Sequence, residues 1–214
     1  MKTLLLFSIA LLILSCSSNK LKNKIVISDI ILAESVLTKM KELDTKNLDY
    51  LVLQKFYNYY GYLNSLNNFQ ACNNCSSNTF YYVIWKENNE NVIQKFDNCG
   101  TFYFQKLLDD SIIDFFINNF DEIKKENVKL YEVGNGKIMF EIHTEFRDFL
   151  IKRGNKLQHK NFDVLNLVND EKSPNLNYDY NNNLKIVKLN RLIADEIKTN
   201  DSLKTFKRDF ATCK

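Results

Sequence analysis

Apolar residues at Val26, Ile30, Ala33, Leu37 and Met40 recur every three or four positions, which predicts an amphipathic helix over 25–43. After a polar break at Asp44 to Asn47, the same period returns at Leu48, Leu51, Val52, Phe56, Tyr59, Tyr60 and Leu63, predicting a second helix over 48–66. Its Tyr and Phe side chains read as core, because aromatics at helical spacing form a buried stripe. The pattern changes at Thr79. Thr79 to Lys86 is β-branched and aromatic, Glu87 to Asn91 is polar, and Val92 to Phe96 is apolar again, which predicts a hairpin. Thr101 to Leu107 reads as a further strand.

Asp110 and Ser111 then open a helix carried by Ile112, Phe115, Phe116, Phe120 and Ile123 to about Lys125, with Ser111 as its cap. Val128 to Val133 and Lys137 to Phe149 flank Gly134-Asn135-Gly136 and predict a second hairpin with an Asn-Gly turn. Residues 166–183 contain the only proline, Pro174, and read as a loop. Two last helices are expected, over 184–198 and 202–212. Helices, then antiparallel strands with one inserted helix, then helices again describe an α+β fold: a sheet of hairpins at about 79–107 and 128–149 packed with N-terminal and C-terminal helices. No repeat or linker divides residues 25–214, which read as one domain.

The N-terminus has a different character. Lys2 precedes an apolar run from Leu4 to Leu14 that stops at Ser15-Cys16. A charged start, a short apolar stretch and a small residue before a cut describe a secretory signal peptide over 1–15. The run is about half the ~20 residues that a spanning helix needs. Ile13-Leu14-Ser15-Cys16 resembles the lipobox of bacterial lipoproteins, although Leu14 is bulkier than the usual Ala or Ser. The resemblance implies that Cys16 becomes the mature N-terminus, bearing a diacylglyceryl thioether and an N-acyl chain such as palmitate. Residues 16–24 are polar and unpatterned, as a tether between lipid and domain would be. No acidic cluster follows Cys16, so the expected position is the cell envelope, membrane-anchored and facing the periplasm.

The 214 residues are 45% hydrophobic and 26% charged with a net charge of +3. These figures exclude collagen-like, low-complexity and disordered chains. Part of the composition is a bias toward Asn, Lys, Ile, Tyr and Phe, the residues of AT-rich codons. Without 1–15 the charge falls to +2, too weak and too dispersed for a nucleic-acid footprint. The excess of base lies beyond Leu150 and suits a solvated face or weak attraction to anionic headgroups.

Besides Cys16 there are four cysteines, Cys72, Cys75, Cys99 and Cys213, an even number in a compartment where disulfides persist. If the strands around 79–97 pair as a hairpin, Cys72 or Cys75 approaches Cys99, and the other is left to reach Cys213; four cysteines allow three connectivities. Cys72-Asn73-Asn74-Cys75 lacks the strand-to-helix context of a redox pair, the following His of a haem site, and a second close pair for zinc.

Chemistry has few candidates. Glu141, His143 and Glu145 alternate along an expected strand and would share a face, able to ligate a metal or exchange protons. The simpler expectation buries Ile138, Phe140, Ile142 and Phe146 and leaves Lys137, Glu141, His143, Glu145 and Arg147 in solvent. His159 has no visible partner. No phosphate loop, nucleophile elbow, zinc or calcium motif is present, so no cofactor is expected. Asp110-Ser111-Ile112 and Asp201-Ser202-Leu203 resemble the three-residue pattern at which some Gram-negative phyla O-glycosylate exported proteins, making Ser111 and Ser202 candidates. The expected role is non-enzymatic binding at an envelope membrane, with lipid through acylated Cys16 and an envelope protein as partners, and no nucleic acid. The alternatives are a periplasmic hydrolase using Glu141, His143 and Glu145, or an immunity-type inhibitor.

Overall fold

The computed structural model describes residues 32–57, 79–141 and 143–212, and residues 31–214 form one compact unit. The fold is α+β, and the described residues form a seven-stranded antiparallel sheet and five helices. Helix α1 (Glu34–Thr45) leads into β1 (Tyr50–Tyr57). Next come β2 (Thr79–Glu87), β3 (Glu90–Asp97), β4 (Gly100–Thr101) and β5 (Gln105–Lys106), then α2 (Ser111–Asn118) and α3 (Phe120–Lys125). Strands β6 (Glu145–Arg153) and β7 (Lys156–Asp163) follow, and α4 (Tyr178–Asn183) and α5 (Lys185–Leu203) complete the helices. The strand order is β4-β3-β2-β1-β6-β7, with β5 also on β3.

The helix expected over 48–66 is a strand where it is described, at Tyr50–Tyr57, and its remainder lies outside the described residues. Tyr50, Leu51, Val52 and Leu53 are buried in succession because β1 runs through the middle of the sheet between β2 and β6, covered on both faces. A continuous apolar run of this length satisfies helix and buried strand alike. Leu51, Leu53, Tyr82, Ile84, Ile93, Phe149 and Ile151 face the main core, which α2, α3 and α5 close with Ile112, Phe116, Phe120, Ile186, Leu189 and Ile193. Tyr50, Val52 and Trp85 alternate to the other face. There α1 sets Lys39 4.3 Å over the Trp85 ring and Asp44 against Lys152.

The expected hairpin at 79–97 is present. Its two-residue loop, Asn88-Asn89, has both φ angles positive, a geometry that matches the twist of the paired strands and that Asn tolerates. The hairpin expected over 128–149 is displaced. The Asn-Gly turn forms, yet its pairing reduces to a single bridge between Glu132 and Ile138, and the long second hairpin is β6–β7. Side chains replace the missing strand: Asn181 accepts from Lys129 N and donates to Lys129 O, and Asn166 accepts from Tyr131 N. The expected burial reverses at two positions, Phe140 at 79% exposed and Arg147 at 6%, while Lys137, Glu141 and His143 are exposed as expected.

Helix α5 begins on Leu184, which offers no capping side chain, and Glu126 supplies the cap from 59 residues away, accepting from Lys185 N and Ile186 N. The helix expected over 202–212 does not form as a unit. Helix α5 stops at Lys204 in the left-handed region, and residues 207–209 run beside β4: Asp209 N donates to Thr101 O, and Tyr103 N to Lys207 O. The β4–β5 edge carries an extra residue. Phe96 faces Thr101 and Ile93 faces Gln105, so Tyr103 and Phe104 together stand opposite Gln94, a β-bulge.

Candidate functional site

Of the three residues expected on one strand face, only Glu145 belongs to a strand. Residue 141 and residues 143–144 precede β6, Glu141 and His143 are exposed, and the alternation that would align them is absent. Among the described residues no group of His, Cys, Asp and Glu is arranged to hold a metal ion.

Glu145 instead closes a charged cluster on the helix-facing side of the sheet. Arg147 donates Nη2 to Glu145 at 2.7 Å and Nε to Asn190 of α5 at 3.2 Å, and Lys55 of β1 stands 3.6 Å from the second Glu145 oxygen. The positions follow from register, since Lys55 and Arg147 are direct partners between β1 and β6. Burial pushes the Glu145 carboxyl up, but the Arg147 hydrogen bond and the charges of Arg147 and Lys55 outweigh it and hold it below its ordinary value. Burial, helped by the Arg147 charge, pushes the Lys55 amine down against the pull of Glu145. A carboxylate held ionised between two cations is a poor proton acceptor, so this arrangement locks a sheet end to α5.

The second cluster lies at the β7 edge. His159 Nε2 is 3.0 Å from Asp148 Oδ1, a diagonal neighbour across the β6–β7 ladder. Burial raises the Asp148 carboxyl above its ordinary value against the opposing effect of His159. Beside the pair is a cleft of about 100 Å³ lined by Glu126, Asn127, Val128, His159, Lys160, Asn161, Phe162 and Ile186. Lys160 donates to Glu126 O at 2.5 Å, and burial lowers its amine despite the Glu126 charge. The cleft is well below the roughly 300–1,000 Å³ of organic ligand sites. No hydroxyl or thiol lines it, so the His–Asp pair has no nucleophile beside it to activate. Sequence reading missed this pair because only the hairpin register joins residues eleven apart.

Cys99 is buried at 8% exposure, its N–H donates to Asp97 Oδ1, and its sulfur is engaged. Cys16, Cys72, Cys75 and Cys213 lie outside the described residues. Ser111 and Ser202 are both exposed. The N–H of Ser111 is taken by Asp109, and the Ser202 hydroxyl donates to Thr199 O. Ser111 is thus the first residue of α2, with Asp110 in the capping position. No family model, curated protein or solved structure matches the chain.

Proposed function

We propose that this chain is an exported lipoprotein, acylated on Cys16, that works by binding at the envelope membrane. The anchor rests on the Ile13-Leu14-Ser15-Cys16 pattern. No described helix is long and apolar enough to cross a membrane, which fits attachment through lipid. Two or more acyl chains hold a protein stably where one does so marginally.

The observation that favours binding over catalysis is how the polar groups are used. Glu145 is held between Lys55 and Arg147, Asp97 is paired with Arg208, and Glu196 accepts from Leu108 N and Asp109 N. Beside its charged surface the domain exposes large apolar side chains, including Tyr103, Phe104, Phe140, Leu176 and Phe210. Exposed apolar surface of this kind marks interaction sites. Fractionation tests the anchor: the wild-type protein sediments with membranes and stays there in high salt, and Cys16→Ser is expected to lose both its acyl mass and that retention. Retention together with an unchanged mass would overturn the reading. Affinity capture of the membrane-anchored form from detergent extracts then identifies any envelope protein bound.

A further inference from the structure

We propose that the bulged edge carrying Tyr103 and Phe104 is the face this protein lays against a phospholipid bilayer, with Lys106, Lys204 and Lys207 meeting anionic headgroups. The inference deepens the lipid-anchor reading and rests on it for orientation. Four observations carry it.

The bulge sets two aromatic residues side by side at a sheet edge where a regular strand would direct one of them inward. Tyr103 is 54% exposed and Phe104 61%. Phe210, 68% exposed, follows directly on Asp209, whose N–H is bonded to Thr101 on the same edge. Tyr and Phe at such a boundary bury an apolar body while a phenol remains in the headgroup layer.

The edge presents exposed lysines, and its carboxylates, though each keeps its charge, are turned to partners of their own. Asp97 is paired with Arg208 and Asp201 with Lys95, while Asp109, Asp110 and Asp209 accept hydrogen bonds from Ser111 N, Asn91 and Ala211 N. Lys106, Lys204 and Lys207 are exposed and form no ion pair among the described residues. Such lysines are attracted to an anionic surface.

The described chain begins on this side. Ala33, at the start of α1, bonds the Tyr81 hydroxyl. Tyr81 pairs with Phe96, and Phe96 with Thr101, so the bulged edge lies two strand spacings away, roughly 10 Å. On the same face Lys39 of α1 covers Trp85, and Phe104 meets that ring edge-on at 6.4 Å. Residues 16–31 reach at most roughly 55 Å even fully extended, so the bilayer is always near.

The other exposed apolar cluster, around Leu130, Phe140 and Leu176, lacks these supports. The segments that carry it expose both acids, Glu141, Asp170, Glu171 and Asp179, and bases, Lys129, Lys137 and Lys172, and nothing ties it to the tether.

The test uses the full chain isolated from membranes and placed in phosphatidylethanolamine–phosphatidylglycerol vesicles. Phe104→Trp and Phe140→Trp are compared for loss of emission to lipids brominated in the acyl chain, buried Trp85 giving the same background in both. Phe104→Trp is expected to be quenched and Phe140→Trp not, with less quenching when phosphatidylcholine replaces phosphatidylglycerol. Equal quenching of the two, or none at Phe104→Trp, overturns the proposal. So does a Phe104→Trp shielded from aqueous quencher in native membranes yet untouched by brominated lipid, which would indicate a protein occupant. Intact mass of the same sample reads acylation separately: an unmodified Cys16 overturns the anchor, and the quenching comparison still decides the bilayer contact.

Discussion

The guanidinium of Arg208 forks onto the carboxylate of Asp97 at 3.0 and 2.5 Å, joining residues 111 apart in sequence. Asp97 is 4% exposed and Arg208 also covers the Phe102 ring at 4.4 Å. Arg208→Ala would strand a buried carboxylate, which costs about 3–5 kcal/mol. Arg208→Lys keeps the charge and loses the fork, so it is expected to fall between the two. Urea unfolding of the three proteins checks the order, and an Arg208→Ala as stable as wild type would refute it.

The Glu145 cluster predicts a limb of the acid stability profile. Its folded value lies below the unfolded carboxyl, near 4.3. The stability it contributes is therefore fully present above the unfolded value and is lost as pH falls through the folded one. Glu145→Gln should flatten that limb and, by leaving Arg147 without its carboxylate, lower stability at neutral pH by about 2 kcal/mol. Chemical denaturation at a series of pH values measures both effects.

Asn181 is fully buried and holds both backbone groups of Lys129 with its amide, while donating also to Asn166 O. Asn181→Leu keeps the volume and removes the bonds, leaving buried backbone unpaired. A loss of about 2–3 kcal/mol is expected, with faster amide exchange over 128–133. Asn183→Leu, whose amide only returns to Asp179 O on an exposed surface, is the control and should change little.

Cys99 sits where two parts of the chain converge. Thr79 opens β2 on one side of it, and residues 207–209 lie along Thr101 on the other. Mass mapping without reductant is expected to find all four cysteines oxidised, and reduction to lower stability by about 2–5 kcal/mol for each structural bridge. Free thiols at Cys72 and Cys75 would overturn the framework.

The parts of the fold written locally were legible. The β2–β3 hairpin and the amphipathic stretch of α2–α3 carry their period and their turn in adjacent residues. Strand β1 was not legible as a strand, because Tyr50 to Leu53 owe their burial to β6, made from residues nearly a hundred positions later. The displaced second hairpin has the same cause: the Asn-Gly turn is real, but Asn166 and Asn181 supply the pairing, and asparagines that matched an AT-rich codon bias turn out to be bonded core. The candidate sites were hidden more deeply. Alternation placed Glu141, His143 and Glu145 on one face only if a strand began before 141, and the His159–Asp148 pair and the Tyr103–Phe104 bulge exist only in the register between strands.

Separation along the chain also governs when these bonds exist. On the export proposed above, the chain would emerge from its N-terminal side, so β1 would wait for residues 145–153 before its second edge is paired. Asp97 carries an uncompensated charge until Arg208 arrives. Glu126 likewise waits for Lys185 and Ile186. A partly exported chain would therefore be held back from closing early and would remain threadable, and the domain would close cooperatively once its distal third is through.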